Sequence, residues 1–356
     1  MNHSVKKTEY GNVTNYAGAS SPAKIPVIDV SLLTSSPLEL DKLKSAVTTW
    51  GCFQAVNHGI ESSFLEKVCE IGELFFKLSA DEKKKYLREE NDVDGYGNDM
   101  VFSDDQILDW ADRLYLTVLP KDQRKFQFWP QNPTHFREIL DEYSSKIELI
   151  YQVTLKALAR SLNLDEDCFL NQYGTTEKKS ARFNYYPPCP WPEKVLGVKP
   201  HADSSAITLL LQDKEVEGLQ LLKDGQWVGV PDALTINVGD QIEIMSNGMF
   251  KSPVHRVLVN SKKKRMTVAV FCPVQSNKHF DVEEIRGRER EEGTRGGEEK
   301  GMVIFVGTDE KCEKGTRGEE ARIKRCFQVR FQIAIQRRIR GTNQRENTTI
   351  QRNRER

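Results

Sequence analysis

The stretch from Ser180 to about Val274 limits the fold more than any other part of this chain. It breaks into short runs rich in Val, Ile, Thr, Tyr and Phe, separated by Pro, Gly, Asp and Asn. The runs at 206–211, 219–222, 227–230, 235–238, 241–245, 254–259 and 266–271 read as strands. Gly225, Gly239-Asp240 and Asn247-Gly248 read as the turns between them. Strands spaced this closely predict a sandwich or a jelly roll.

The first half has a different texture. Residues 25–30 and 52–56 read as strands, the second stopped by Asn57-His58-Gly59. Helices are expected over 38–50 and 62–78, where Phe64, Leu65, Val68, Ile71, Leu74, Phe75 and Leu78 share one face. Ser79-Ala80-Asp81-Glu82 fits a capping box opening a helix whose Lys83 to Lys85 form a solvated face. Gly95-Tyr96-Gly97 reads as a loop, followed by a long amphipathic helix over 134–161. The expected class is α+β: a flexible segment 1–24, a helix-rich region 25–175 and a jelly roll over 176–280. Residues 281–356 form a Gly/Arg/Glu-rich tail, acidic first and basic later. It carries too few apolar residues to build a core, so disorder is expected there.

Charge narrows the partners. The 356 residues hold 52 Lys+Arg and 52 Asp+Glu. That balance argues against a nucleic-acid partner or a membrane surface. The polar N-terminus lacks the apolar run of a signal peptide, and no apolar stretch approaches the roughly 20 residues of a membrane span. Seven cysteines without a C-x-x-C pairing point to reduced thiols and a cytoplasmic protein. The sequons at Asn2, Asn12 and Asn347 are then unused. With no interface-like pattern, a monomer is expected.

His201, Asp203 and His255 supply two imidazoles and one carboxylate, the ligand set of a facial triad that leaves positions open on Fe(II). Arg265 adds a permanent forked cation suited to a carboxylate. Side chains two apart in a strand face the same way. Three such pairs occur: Asn184 with Tyr186, His201 with Asp203, and Arg265 with Thr267. Each piece alone is weak, since H-x-D triplets are common and a lone strand histidine is more often structural. His58 reads as a turn residue, and His3, His135 and His279 have no partner pattern. The combination points to an iron oxygenase that consumes a dicarboxylate.

Three stretches carry a family resemblance: Asn184-Tyr185-Tyr186-Pro187-Pro188-Cys189-Pro190, His201-Ala202-Asp203, and Asn247-Gly248-Met249-Phe250-Lys251-Ser252-Pro253-Val254-His255-Arg256. The chain closely resembles the plant 2-oxoglutarate- and Fe(II)-dependent dioxygenases of specialised metabolism. It resembles the senescence-related, codeine O-demethylase-like and norcoclaurine synthase-like members. Residues 25–29, 50–59, 108–112 and Glu217-Gly218-Leu219-Gln220 match as well, so the resemblance covers about residues 25 to 278. It implies a double-stranded β-helix, another name for the jelly-roll core, with His201, Asp203 and His255 as iron ligands. Arg265 and Thr267 match an R-x-S pair that holds the distal carboxylate of 2-oxoglutarate, with threonine in place of serine. Asn184 and Tyr186 match residues that position the same co-substrate.

The implied cofactors are Fe(II), 2-oxoglutarate and O2, with ascorbate as reductant. The implied reaction hydroxylates, O-demethylates or desaturates a small aromatic plant metabolite, releasing succinate and CO2. Tyr96, Phe102, Phe126, Phe128, Trp129, Phe250 and Phe271 are candidates to line its pocket, each set against an ordinary place in the core. The resemblance stops near Phe280, where the charged tail stands in place of the family's closing C-terminal structure. Two other readings stay open: an ascorbate-dependent oxidase of the 1-aminocyclopropane-1-carboxylate oxidase type, and a non-catalytic remnant.

Overall fold

A computed structural model describes residues 24–90, 92–98, 109–171 and 178–272. The expected flexible start, the charged tail and Phe102 lie outside the described residues. The Val- and Leu-rich runs of the second half form strands close to where their composition placed them. They are β5 (Lys179–Tyr186), β6 (Val198–His201), β7 (Ile207–Leu211), β8 (Leu219–Lys223), β9 (Gln226–Gly229), β10 (Leu234–Val238), β11 (His255–Val257) and β12 (Arg265–Cys272). The first half adds β1 (Val27–Asp29), β2 (Cys52–Val56), β3 (Gly95–Gly97) and β4 (Asp112–Leu119). These build an eight-stranded sheet in the order β1-β2-β10-β7-β12-β5-β4-β3 and a four-stranded sheet in the order β6-β11-β8-β9. The large sheet therefore draws half its strands from the region that reads as helix-rich.

Alternation along the strands gives the large sheet two distinct faces. Phe183, Leu209, Leu211, Ile236, Met266, Val268 and Val270 lie in the main core. They pack there with residues of α1 (Pro37–Thr49), α2 (Ser62–Lys77) and α4 (Phe136–Ser161). The intervening positions, among them Asn184, Tyr186, Gln212, Thr235, Arg265 and Thr267, take the opposite face and are also buried. On that side Tyr186 packs with Leu219, Leu221 and Val257 of the small sheet. Jelly-roll strands thus cover one side of the large sheet and helices the other. Polar side chains buried between the sheets mark where the chemistry is held.

Local signals behave as their chemistry requires. Ser36 Oγ accepts from the Glu39 N–H at 3.3 Å, with Pro37 opening α1. Ser79 Oγ accepts from Glu82 N–H at 3.2 Å and starts α3 (Ala80–Lys84). Among the described residues Cys52, Cys69, Cys168, Cys189 and Cys272 form no disulfide.

Two local expectations are corrected. Gly95-Tyr96-Gly97 is a strand, because its backbone pairs with Leu114 and its neighbours on β4. Gln241 to Met245 reads as a strand by alternation but lies in a helix, α5 (Asp240–Met245). Gly239 N–H donates to Ala206 C=O at 2.7 Å and Asp240 N–H to Asp203 C=O at 2.8 Å, turning the chain out of the sheet.

Candidate metal centre and co-substrate basin

β6 ends on His201 and β11 begins on His255, and the two residues are directly paired across the antiparallel ladder. Their ring centroids lie 4.2 Å apart. Asp203 follows just beyond the end of β6, not on the strand itself. Its backbone is fixed by the Asp240 N–H, and close approach of Gly239 completes the turn. A Cβ at Gly239 would stand 1.9 Å from Ser205 O and 3.0 Å from Asp203 O. Glycine is required there by space alone.

Hydrogen bonds set the imidazole tautomers. His201 Nδ1 lies 2.9 Å from Lys199 O and His255 Nδ1 3.1 Å from Pro253 O. A carbonyl can only accept, so each Nδ1 carries the proton and each Nε2 presents its lone pair. Those Nε2 atoms lie 3.6 and 3.7 Å from Asp203 Oδ1. One ligand atom from each of the three residues falls within 4.8 Å of the others. Asp203 Oδ2 is buried without a hydrogen-bond partner among the described residues. Two bare imidazole nitrogens facing an unsatisfied carboxylate suit a divalent transition metal. Burial, reinforced by neighbouring His255, holds the His201 imidazole down at about 4 against an ordinary 6.5. His201 is therefore neutral at physiological pH, the form in which imidazole binds metal.

Arg265 opens β12 opposite Tyr186, and Thr267 sits opposite Asn184. Arg265 is 1% exposed. Its Nε donates to Val216 O at 3.0 Å and its Nη2 to Gln212 Oε1 at 3.1 Å. Nη1 is buried without a hydrogen-bond partner among the described residues. Burial lowers the pKa of the guanidinium below its ordinary value, and no carboxylate hydrogen-bonds it directly. A carboxylate presented to Nη1 meets both needs. Asn184 Nδ2 donates to Thr267 Oγ1 at 3.2 Å. The Tyr186 ring centroid lies 5.3 Å from the guanidinium carbon, and burial raises the pKa of its phenol. Gly218, inside the matching Glu-Gly-Leu-Gln stretch, makes room for the arginine, since a Cβ there would stand 3.0 Å from Arg265 Nε.

All seven sequence-predicted residues thus gather in two clusters, His201, Asp203 and His255 in one and Asn184, Tyr186, Arg265 and Thr267 in the other. Three contributors escape the sequence reading. Gln212 grips Arg265. Asp109 Oδ1 accepts from the Lys199 N–H at 3.0 Å, holding the residue whose carbonyl orients His201. Arg182, two residues before Asn184, donates from Nε to Asn184 Oδ1 at 2.5 Å. Strand alternation from Asn184 and Tyr186 would have flagged Arg182. No spacing rule links Asp109 or Gln212 to the partners they hold.

The aromatic candidates separate. Phe128, Trp129 and Phe250 are buried in the main core, the ordinary place set against a pocket role for each. Tyr96 packs on Phe75 at 5.7 Å, and Phe126 is half exposed against Trp129. Phe271 shares the alternation of Arg265 and Thr267 and stacks on Tyr115. His58 takes the turn role, its Nδ1 accepting from the Ile60 N–H.

Comparison with known proteins bears on this geometry. Residues 167–273 match the family described as 2OG-Fe(II) oxygenase superfamily. Residues 25–132 match the one described as non-haem dioxygenase in morphine synthesis N-terminal. Protein SRG1 of Arabidopsis thaliana is 43% identical over 70% of this chain and 71% of its own length. Codeine O-demethylase of Papaver somniferum is 41% identical over 72% of this chain and 73% of its own. A crystal structure of JOX2 in complex with 2OG, Fe and JA superposes with a TM-score of 0.68 at 34% identity. It covers 77% of this chain and 82% of that one. These likenesses favour the 2-oxoglutarate reading over the ascorbate-type oxidase and the non-catalytic remnant. The chain belongs to the 2OG-Fe(II) oxygenase superfamily and is a 2-oxoglutarate-dependent dioxygenase, an oxidoreductase that uses Fe(II), 2-oxoglutarate and O2.

Proposed function

We propose that His201 and His255 bind Fe(II) through Nε2 and Asp203 through its carboxylate, while Arg265 and Thr267 hold the distal carboxylate of 2-oxoglutarate. Asn184 and Tyr186 border that carboxylate with neutral hydrogen-bonding groups. The observation that carries this reading is the pairing of two unmet needs. Asp203 Oδ2 and Arg265 Nη1 are both buried without hydrogen-bond partners among the described residues, one beside two open imidazole nitrogens and the other on the sheet face that carries Asn184, Tyr186 and Thr267. Iron, when bound, supplies positions for the 2-oxo acid and dioxygen and couples decarboxylation to oxidation of the substrate. The protein's part is positional. Lys199 O and Pro253 O hold the imidazole tautomers, the Asp240 N–H anchors Asp203, and Arg265 fixes the far end of the co-substrate.

The proposed substrate is a small aromatic plant metabolite, and an aryl methyl ether is the form to try first. Relatives at 40–42% identity include thebaine 6-O-demethylase of Papaver somniferum, codeine O-demethylase and a flavonoid 7-O-demethylase of Ocimum basilicum. Removal of a methyl group balances as ether, O2 and 2-oxoglutarate giving phenol, formaldehyde, succinate and CO2. Hydroxylation and desaturation are the other outcomes of the same site. No helix among the described residues is long and apolar enough to cross a membrane. We place the enzyme in the cytoplasm as a monomer.

The test is a panel of methoxylated alkaloids and flavonoids, with succinate and formaldehyde measured together. Equimolar succinate and formaldehyde from one substrate, absent in His255→Ala, is the expected result. Substrate-stimulated succinate with a hydroxylated product and no formaldehyde would replace demethylation by hydroxylation. No stimulation by any aromatic would contradict the substrate class.

A further inference from the structure

Gln212 directly follows β7, and its side chain, 2% exposed, reaches Arg265 on the same face of the large sheet. Its amide has only one workable orientation. Nε2 donates to Pro231 O at 3.0 Å and to Thr235 Oγ1 at 3.2 Å, and the first of these partners can only accept. Oε1 is therefore committed to Arg265 Nη2. A second clamp holds the other end of the guanidinium, where Nε donates to Val216 O. That carbonyl belongs to a turn tied by Asp213, whose Oδ1 accepts from the Glu215 and Val216 N–H groups and whose Oδ2 accepts from Met266 N–H. The planar fork is gripped along its Nε–Nη2 edge, and Nη1 is the nitrogen left without a protein partner among the described residues.

We infer that Gln212 is a positioning residue for the co-substrate. By holding Nη2 with a neutral acceptor, it points Nη1 at the distal carboxylate and keeps the guanidinium free of a directly hydrogen-bonded protein carboxylate. This rests on Arg265 being the 2-oxoglutarate anchor. The neutrality of Gln212 is as important as its position. A carboxylate in the same place would neutralise the arginine before the co-substrate arrives. An apolar side chain of the same length would leave the charge but free the fork to pivot about its Nε bond.

The experiment compares wild type, Gln212→Glu, Gln212→Met and Arg265→Met by anaerobic titration of the Fe(II)-loaded protein, reading the visible absorption of the 2-oxo acid chelate. Two ligands are used: 2-oxoglutarate, and 2-oxobutyrate, which has the chelating end but no distal carboxylate. Thermal melts of the metal-free proteins accompany each titration. Gln212→Glu is expected to weaken 2-oxoglutarate about tenfold or more while 2-oxobutyrate shifts less than about twofold. Gln212→Met is expected to weaken 2-oxoglutarate by a smaller factor, again with less than about a twofold change for 2-oxobutyrate. If both ligands weaken in parallel, or neither does, Gln212 is only a structural residue and the inference fails. Should the Met variant not fold, the near-isosteric Glu variant decides the question. If Arg265→Met itself leaves 2-oxoglutarate affinity unchanged, the anchor assignment fails, an outcome separable from failure of Gln212 alone.

Discussion

His255 stands directly opposite His201 across the β11–β6 ladder, with both Nδ1 atoms held by backbone carbonyls two residues earlier in the chain. The symmetry has a simple consequence. Each ring is oriented by a carbonyl of its own segment, whereas Asp203 is tied to the distant Gly239-Asp240 turn. Iron affinity should be most easily lost through that turn.

Gly239→Ala tests this dependence without touching a ligand. The added methyl would collide with Ser205 O and press on Asp203 O. Relief requires moving the turn that carries Asp203, at a cost of about 1–3 kcal/mol. The expected outcome is a lowered melting temperature together with Fe(II) binding weakened more than by alanine at Gly229, where a Cβ meets nothing. Equal effects at both glycines would contradict the claim.

Arg265→Met should leave Fe(II) binding intact and raise the 2-oxoglutarate concentration needed for half-saturation. One charge-assisted hydrogen bond at roughly 1.5–3 kcal/mol corresponds to a change on the order of 10- to 100-fold. Arg265→Lys should recover only part of this, because an ammonium cannot reach Val216 O, Gln212 and a carboxylate in one plane. Steady-state kinetics with varied 2-oxoglutarate reads both effects.

Thr267→Ser should behave like wild type, and Thr267→Val should not. Valine preserves shape but removes the acceptor of the Asn184 amide, leaving a buried donor unmatched at about 1–3 kcal/mol. The melting temperature should fall in the valine variant alone, with a matching loss of 2-oxoglutarate affinity.

The metal-free protein should lose stability as pH falls from 6.5 toward 4. His201 stays neutral in the fold down to about 4, because of burial and the adjacent His255, while the unfolded chain takes up its proton near 6.5. Between those values the unfolded state binds more protons, so stability rises with pH across the window and falls with acid. Melting temperatures of wild type and His201→Asn over this range should converge as pH drops. Parallel curves would show that His201 carries none of the dependence.

Much of this site is legible in the sequence because alternation is enough to define a face. Asn184 with Tyr186 and Arg265 with Thr267 fall on one side of the large sheet as period two requires, and Gly218 and Gly239 sit where backbone must pass closely. The pairing of His201 with His255 is different, since only the topology of two sheets brings β6 beside β11. Gln241 to Met245 misleads because alternation describes side chains, while the backbone bonds at Gly239 and Asp240 decide where the strand ends. Gly95-Tyr96-Gly97 misleads in the other direction. Its glycines, at φ of 118° and 149°, suit a loop by composition yet lie on the sheet edge beside β4. Gln212 is invisible for a further reason. A neutral amide after a strand carries no signal until its partners are known.

The most direct test of the central claim is an anaerobic titration of the metal-free protein with Fe(II) and then 2-oxoglutarate, with His255→Ala as control. The assignment of His201, Asp203 and His255 predicts a weak visible absorption that saturates at one iron and one 2-oxo acid per chain and is lost in the variant. A folded wild-type protein that binds iron without this absorption, or a His255→Ala protein that retains it, would contradict the assignment.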